Sequence, residues 1–258
     1  MSAENSSVQC LERAFDIVGI ICEKGTGVGI TEIAQRLELP KSTVHRIMQT
    51  LHAKGYVYHN KKGRVYSLGV EALKLGFSAA EHLPMVSRAK PHMEYLSQKY
   101  SEYVVLAVMR NNSIFIITNY MGSYSTTFFS NDQQTHNNDS YRPAVMHCIM
   151  AYNNKEKNKH YLEKYLQNQK HRGLTKKAIY TIDAFEERLQ KVRERGYDIE
   201  DGEFRDDEVC YAVPITGMDG SVEAALSIFG TRNRILQFRA EDILRDLKLS
   251  SDNISQQK

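Results

Sequence analysis

The sequence predicts an α+β protein of two domains, a small N-terminal one of three helices and a β-hairpin and a larger one of strands and helices. Three amphipathic patterns precede Gly55, and two short β-rich runs follow it. Further along, YVVLAVMR pairs with SIFIITNY and EVCYAVPIT pairs with SVEAALSIFG, with helical patterns between and after these pairs. Strand pairs interleaved with helices favour an α+β fold over a doubly wound parallel sheet.

The composition is that of a globular protein, since 41% of the 258 residues are hydrophobic and 25% are charged. The N-terminus is polar, unlike a signal peptide, and no apolar run approaches the roughly 18 residues that span a bilayer. We therefore expect a soluble, cytoplasmic protein. The cysteines show neither CxxC pairing nor zinc-finger spacing, so we expect no metal, no cofactor and no disulfide framework. They are Cys10, Cys22, Cys148 and Cys210.

The first helix is predicted in VQCLERAFDIVGIICEKG, where apolar residues recur at helical spacing and Gly25 provides the stop. Its expected inner stripe consists of Leu11, Ala14, Phe15, Val18 and Ile21. A short second helix begins in GVGITEIAQRLELP, and we expect Thr31 to cap it. Pro40 then turns the chain, because the residue before a proline is pushed out of helical geometry.

A third helix is predicted from about Pro40 to Ala53, with apolar residues at the spacing of one helical face. These residues are Val44, Ile47, Met48 and Leu51. After Gly55 the runs YVYH and VYSL flank NKKGR, a turn sequence with Asn and Gly, and so predict a hairpin. Three helices with a tight turn between the second and the third, followed by a hairpin, form a winged helix-turn-helix.

The charge of this region is one-sided. The stretch from Leu39 to Gly69 contains six Lys or Arg and no Asp or Glu, although the whole chain balances 34 basic against 31 acidic residues. At about 100° per residue, the outer face of the third helix presents Ser42, Arg46 and Gln49, flanked by Lys41, Thr43, His45 and Thr50. The hairpin tip adds Lys61, Lys62 and Arg64. Such side chains read base edges and bind phosphates, so we predict a DNA-binding surface that also includes Thr31.

Two alternatives to DNA binding stay open. A basic helix face is often only solvated, and short helix-turn-helix patterns also occur by chance. Here the short second helix, the apolar period, the polar outer face and the basic hairpin agree along one continuous stretch, which favours DNA binding. The other alternative is a small-molecule sensor or enzyme whose N-terminal domain docks a protein. Salt-dependent binding to DNA separates the two classes.

Several segments resemble a known family. CLERAFDIVGII, GITEIAQRLELPKSTVHRIMQTLHAKGYV and YSLGVEALKLG resemble the N-terminal domain of IclR-type bacterial transcriptional regulators. The similarity continues through LAVMRNNSIFII, VRERGYDIEDGE and VCYAVPITGMDGSVEAALSIFG. It implies a DNA-binding domain over residues 1–70, a linker helix over 71–83, a GAF/PAS-like α/β domain for effector binding and oligomerisation over 84–250, and a polar tail over 251–258.

The resemblance also implies how such a protein works. It implies homodimers or tetramers that bind double-stranded operator DNA, most often as repressors of a catabolic operon, and a small-molecule effector that regulates them. By the same comparison Arg13 on the first helix adds a contact to the DNA backbone.

The resemblance places the effector at the helix start in SYRPAVMHCIMA, at the acidic stretch after RGY, and on the strands that carry Cys210 and Ser227. It assigns backbone amides of Val145 and Met146 and the side chains of Glu200, Cys210 and Ser227 to the pocket. Helix N-termini bind anions, which suits a carboxylate effector. Here Arg142 supplies a charge that the family pattern lacks, and bulky Val145 and Met146 replace smaller residues.

Plainer readings of these residues stay open. Cys210 could be a small core residue, Ser227 could satisfy a strand edge and Glu200 could be a solvated turn residue. His147 and Cys148 suggest a base and a nucleophile, but neighbours on a helix point about 100° apart, so we expect no enzyme. Further helices are predicted at about residues 142–152, 155–169, 182–195 and 236–247. The basic cluster from Lys155 to Lys177 is interpreted as a helix with solvated lysines.

Overall fold

The computed structural model describes residues 8–110, 113–121, 143–153, 156, 158–159, 175–179, 181–217 and 220–256. The chain divides into two compact units, which we call the N-terminal unit (Met1–Glu81) and the C-terminal unit (His82–Lys258). Within the described residues, no helix is long and apolar enough to cross a membrane. Arg142 and most of the basic cluster from Lys155 to Lys177 lie outside the described residues.

The N-terminal unit has the predicted three helices and hairpin. Its elements are α1 (Gln9–Lys24), α2 (Ile30–Arg36), α3 (Lys41–Ala53), β1 (Val57–Asn60), β2 (Val65–Leu68) and α4 (Val70–His82). The two strands pair antiparallel, from Val57 opposite Leu68 to Asn60 opposite Val65. A further bridge joins Val28 to Tyr66, and its two N–H groups each donate to the other residue's carbonyl at 2.9 and 2.8 Å. The hairpin is therefore tied to the segment that precedes α2.

The core of this unit confirms the predicted inner face of α3, because Val44, Ile47 and Met48 are buried. The inner stripe predicted for α1 is wrong in part. Leu11 is 57% exposed and Phe15 is 73% exposed, whereas Ile17 and Ile20 are buried. Helix α1 is apolar on two adjoining sides, and its spacing alone does not show which side the core will cover.

The predicted cap of α2 is also wrong. The N-cap residue is Gly29, which is extended and makes no side-chain cap, and Thr31 is exposed one residue inside the helix. The backbone bridge between Val28 and Tyr66 fixes the extended chain at this point and so sets the first helical residue. A hydroxyl caps a helix from the N-cap residue, and Thr31 lies two residues past that position.

The C-terminal unit is built on one antiparallel sheet in the order β4-β3-β7-β6-β5. Its strands are β3 (Tyr103–Arg110), β4 (Ser113–Tyr120), β5 (Asp198–Asp201), β6 (Glu208–Thr216) and β7 (Val222–Thr231). Its described helices are α5 (Pro84–Tyr100), α6 (Pro143–Met150), α7 (Ile182–Arg195), α8 (Arg232–Ile235) and α9 (Ala240–Gln256). Helices α5 and α9 pack on one face of the sheet, and α6 and α7 pack on the other.

Both predicted strand pairs are present, and the α+β prediction is confirmed. The last helix differs from its prediction at about residues 236–247, since it begins at Ala240 and continues to Gln256. Residues 251–256, expected as part of a polar tail, form its final turns. Ile254 is buried in the core, and Ser251 Oγ donates to the carbonyl of Pro214 at 2.6 Å. These final turns therefore pack against the C-terminal unit.

Two glycines allow the base of the hairpin to meet the start of α4. The N–H of Gly69 donates to the carbonyl of Tyr56 at 2.8 Å, and that of Glu71 donates to the carbonyl of Gly55 at 3.3 Å. A Cβ atom on Gly69 would lie 2.1 Å from the Gly55 carbonyl oxygen. The close approach of the backbone at position 69 to the Gly55 carbonyl therefore requires glycine at position 69.

We expect Gly69→Ala to lower the free energy of unfolding by about 1–3 kcal/mol, because the added methyl meets backbone rather than a side chain that could move. Urea denaturation of the full chain, followed by circular dichroism, measures this effect. Gly76→Ala is the matched control, since nothing lies within 4 Å of its Cβ position in α4 and alanine favours helix. Equal stability of the two variants would contradict the close approach of these two backbone segments.

Candidate nucleic-acid interface and effector site

The outer face of α3 is exposed along its length. Ser42, Arg46 and Gln49 are exposed on the side opposite the buried apolar residues, together with Lys41 and His45. Thr43 is half-buried. The hydroxyl of Thr50 donates to the carbonyl of Arg46 at 3.2 Å, so this side chain is turned back onto its own helix. Helix α3 thus presents two amide- or guanidinium-bearing side chains one turn apart, with a hydroxyl one turn earlier.

The end of α3 is fixed to the hairpin by the ring of His52, whose Nδ1 lies 3.1 Å from the carbonyl oxygen of Val57. The hairpin itself is stiffened by the stacked rings of His59 and Tyr66, whose centroids are 4.2 Å apart. These contacts fix the position of the hairpin relative to helix α3 within the N-terminal unit.

The hairpin tip is a turn organised by Asn60. Its Oδ1 accepts hydrogen bonds from the N–H groups of Lys62 and Gly63 at 3.1 and 3.3 Å. Arg64 adopts a left-handed backbone conformation with φ of +53°. Lys61, Lys62 and Arg64 are all exposed. The tip therefore projects three cations from a compact loop, as the sequence predicts for a wing.

No ion pair among the described residues neutralises the cations of α3 and the wing. In the described part of the N-terminal unit, the ion pairs involve Lys24, Arg36 and Lys74, which bind Glu23, Glu32 and Glu71. None of them involves Lys41, Arg46 or the wing. Arg13, half-buried on α1, and exposed Thr31 lie in the same unit. A polyanion would supply the missing counter-charge.

In the C-terminal unit, the predicted effector residues that the structure describes lie on α6 and on the sheet face that it covers. Every residue from Pro143 to Met150 is buried, and the side chains of Val145 and Met146 belong to the core beside Cys210. Only their backbone N–H groups, in the first turn of α6, have the character that the sequence comparison assigned to them. Cys210 is a buried core residue, in line with its plainer reading.

The strand register brings the polar residues of this face together. Asp198 lies opposite Ala212, which lies opposite Ser227, and Glu200 lies opposite Cys210. Alternate residues of a strand point to the same face, so Asp198 and Glu200 point towards α6. Glu200 is fully buried in β5 and is not a solvated turn residue. Ser227 is buried on β7, between β3 and β6, and is not at a strand edge.

A buried ionic network, which the sequence analysis missed, supports this face. His147 Nδ1 lies 2.6 Å from Asp198 Oδ2, and both side chains are fully buried. Arg188 Nε donates to Asp198 Oδ1 at 2.8 Å, and Arg195 also donates to that oxygen. Arg188 Nη2 donates to the carbonyl of Ile199 at 2.6 Å and to Glu203 Oε1 at 2.8 Å. The network joins α6, β5, α7 and the loop after β5.

One signal in the sequence could have identified part of this network. The run Asp-Ile-Glu-Asp at residues 198–201 alternates, and strand geometry places Asp198 and Glu200 on the inner face. Arg188 and Glu203 carried no such signal, because Arg188 lies on a charged helix and Glu203 lies in a loop.

The network sets the ionisation of its members. Burial opposes ionisation of Asp198, but the hydrogen bond from His147 and the charges of Arg188 and Arg195 outweigh it and hold the pKa of this carboxyl below its usual value. Burial, reinforced by the charge of Asp198, raises the pKa of the Cys148 thiol well above its usual value. The thiol therefore stays protonated, and His147 is engaged with Asp198 rather than with Cys148.

Glu200 behaves differently from Asp198. Burial raises its pKa to about 7, and the nearby charges of Glu208 and Glu203 act in the same direction. The N–H groups of Glu203 and Phe204, which donate to its Oε1 at 2.8 and 2.9 Å, oppose the shift only in part. Glu200 therefore titrates close to neutrality.

Comparison with known proteins settles the family. Residues 10–61 match the IclR helix-turn-helix domain, and residues 77–256 match the C-terminal domain of the bacterial transcriptional regulator IclR. The chain belongs to the IclR family. It is accordingly a DNA-binding transcription regulator with a C-terminal effector-binding domain.

Individual members of the IclR family are similar along the whole chain. The HTH-type transcriptional regulator KdgR of Escherichia coli (strain K12) is 28% identical over 257 residues, which cover 100% of this chain and 95% of KdgR. An IclR transcriptional regulator from Alicyclobacillus acidocaldarius has a TM-score of 0.73 at 22% identity, covering 96% of this chain and 98% of that one. An IclR homolog from Microbacterium hydrocarbonoxydans, complexed with 4-hydroxybenzoate, has a TM-score of 0.68 at 21% identity with the same coverage. At these identities the two structures show the shared fold.

The raised pKa of Glu200 makes stability depend on pH. The folded state holds a proton that the unfolded state, with its ordinary carboxyl pKa of 4.5, releases. The stabilisation is complete below about pH 4.5 and is lost as the pH rises to about 7; it is worth up to about 3 kcal/mol. Urea denaturation at pH 5 to 8 should show stability falling with pH, and less steeply in Glu200→Gln.

Glu194→Gln, which removes an exposed carboxylate from α7, serves as the control and should keep the slope of the parent protein. Identical slopes in all three proteins would mean that Glu200 is ionised throughout this pH range.

Proposed function

We propose that this IclR-family chain binds a pseudo-palindromic operator as a homodimer or tetramer, and that a small molecule bound beside α6 changes that affinity. The observation that carries the proposal is the exposed outer face of α3 and its wing, whose cations have no counter-charge among the described residues. By the family resemblance the chain is a cytoplasmic repressor of a catabolic operon that needs no cofactor and performs no catalysis.

Base reading is assigned to α3. Arg46 suits the major-groove edge of guanine and Gln49 suits that of adenine, and Ser42 can bind either base. The phosphate contacts are assigned to the flanking residues and the wing. They are Arg13, Thr31, Lys41, Thr43, His45, Lys61, Lys62 and Arg64. A fixed connection between α3 and the wing, through His52 and Val57, supports simultaneous contact of both with one duplex.

Self-association is supported by apolar side chains that the N-terminal unit leaves in water. On α1 these are Leu11 and Phe15, and on α4 they are Leu73 and Phe77, which are 58% and 62% exposed. On each helix the two residues are four apart and form one stripe. A second copy of the chain would cover both stripes and place two recognition helices about 34 Å apart, the repeat of the DNA helix.

Effector binding is assigned to the polar face beneath α6. The residues proposed are Arg142, the N–H groups of Val145 and Met146, and the side chains of Glu200, Cys210 and Ser227. Buried Glu200 and Ser227 support this location most directly, because each holds a polar atom without a hydrogen-bond partner. Coupling between effector and operator is typically worth about 1–3 kcal/mol, a 5- to 150-fold change in affinity.

We expect Arg46→Ala and Gln49→Ala to abolish the preference for operator over random DNA, since they remove base contacts. Lys61→Ala and Lys62→Ala should weaken binding to all sequences and flatten the dependence of log affinity on log salt by about one unit each. Fluorescence anisotropy with fragments of the gene's own upstream region measures both effects. Lys90→Ala, at an exposed position on α5, is the control.

A different outcome would contradict a role in DNA regulation. If no fragment binds in a salt-dependent manner, and if the protein turns over a metabolite instead, the N-terminal unit serves a sensor or an enzyme and docks another protein.

Charge placed in the apolar stripes should separate the subunits. We expect Phe15→Glu or Phe77→Glu to shift the protein towards monomers in sedimentation velocity, because a buried unpaired carboxylate is costly at an interface. Operator affinity should fall at the same time, since a monomer can contact only one half-site. Leu249→Glu, at a residue 56% exposed on α9, should leave the pairing through the N-terminal unit intact. A monomeric parent protein would refute the assignment.

A further inference from the structure

Among the described residues of the C-terminal unit, several buried polar atoms have no hydrogen-bond partner, and four of them lie on the polar face beneath α6. They are Ser227 Oγ, Glu200 Oε2, Glu203 Oε2 and His147 Nε2. None of the four residues is more than 6% exposed. Buried polar atoms are nearly always hydrogen-bonded, so a group of unpaired ones in a binding domain indicates the place of a missing partner.

The four residues belong to one region of the fold. His147 and Arg188 both bind the carboxylate of Asp198, Arg188 also binds Glu203, and the N–H of Glu203 donates to Glu200. Ser227 lies two strands away from Asp198, the partner of His147. Two strand spacings amount to about 10 Å, comparable with an extended six-carbon polyol. Ala212, between Asp198 and Ser227, contributes only a methyl group to this row.

The unpaired atoms include both acceptors and donors. Glu200 Oε1 already receives two backbone N–H groups, so the proton that this carboxyl holds below about pH 7 lies on Oε2 and can be donated. Glu203 has one oxygen bound to Arg188 and a second oxygen that can accept. His147 Nδ1 is engaged with Asp198, which leaves Nε2 as the ring nitrogen without a partner. Ser227 can accept or donate, so the complementary ligand must supply groups that do both.

The charges of the region decide between neutral and cationic donors. The two guanidinium groups of Arg188 and Arg195 already neutralise the carboxylates of Asp198 and Glu203. An ammonium ligand would add an unbalanced buried charge, whereas hydroxyl groups add none. An acid without hydroxyl groups would donate nothing to Glu203 Oε2. Hydroxyl groups both donate and accept, so they fit this mixed set of atoms.

We propose that the effector is a polyhydroxylated aliphatic molecule whose hydroxyl groups exchange hydrogen bonds with Glu200, Glu203, His147 and Ser227. The inference rests on the effector site of the proposed function and names its ligand class. A carboxylate on the same molecule would be compatible with the first turn of α6, but the hydroxyl groups provide recognition at β5 and β7.

Thermal-shift and calorimetric titration of the full chain test this class with four six-carbon probes: D-glucitol, D-gluconate, hexanoate and hexylamine. We expect glucitol, gluconate or both to raise the melting temperature, since a ligand of the folded state stabilises it. Hexanoate and hexylamine should not. Glu200→Gln, which keeps the oxygen that accepts the two N–H groups, and Ser227→Ala should each weaken the binding about tenfold. Glu194→Gln, at an exposed position on α7, should not.

The proposal is overturned if neither hydroxylated probe binds, if hexanoate or hexylamine binds as well as they do, or if Glu200→Gln and Ser227→Ala both leave the affinity unchanged. The same protein is assayed for salt-dependent DNA binding. If one of these results is found and the protein still binds DNA, only the proposed ligand class is wrong. If the protein does not bind DNA, the proposed function itself is wrong.

Discussion

The buried carboxylate of Asp198 is the constraint on which the C-terminal unit depends. One oxygen binds His147 on α6, and the other binds Arg188 and Arg195 on α7. An ion of this kind is costly to bury unless each of its lone pairs is used, and here three donors use them. Helix α6, the short edge strand β5 and helix α7 are therefore held to each other through one side chain, in addition to their apolar contacts.

The N-terminal unit depends on backbone contacts of a different kind. Its core is small, and the hairpin is fixed by the bridge from Val28 to Tyr66 and by the close approach of Gly55 and Gly69. With these contacts in place, α3 and the wing present their cations from a rigid frame. The exposed cations of α3 and the wing have no counter-charge among the described residues of this unit, whereas the buried carboxylate of Asp198 is balanced within the C-terminal unit.

The sequence predicted the presence of the helices and strands better than it predicted which of their faces are buried and where they begin. The apolar period of Val44, Ile47 and Met48 identified the inner face of α3, because only one side of that helix is apolar. On α1 two sides are apolar, and the core covers Ile17 and Ile20 rather than Leu11 and Phe15. The start of α2 was misplaced because a bridge to a residue 38 positions further along, from Val28 to Tyr66, determines it.

The effector face was predicted only where the strand pattern shows it. Cys210 and Ser227 were correctly placed on paired strands, since their runs are apolar and β-rich. Glu200 was expected only in an acidic stretch after RGY, and it lies on β5. The partners that make the face polar come from positions distant in sequence, as His147 and Asp198 do at a separation of 51 residues. Spacing cannot reveal such pairs, because the fold alone brings them together.

The hydrogen bonds at the base of the hairpin have a mechanical consequence. The first turn of α4 and the loop after α3 share them, through Gly69 to Tyr56 and Glu71 to Gly55. A displacement of α4 would therefore act through these two hydrogen bonds on the base of the hairpin that carries Lys61 and Lys62.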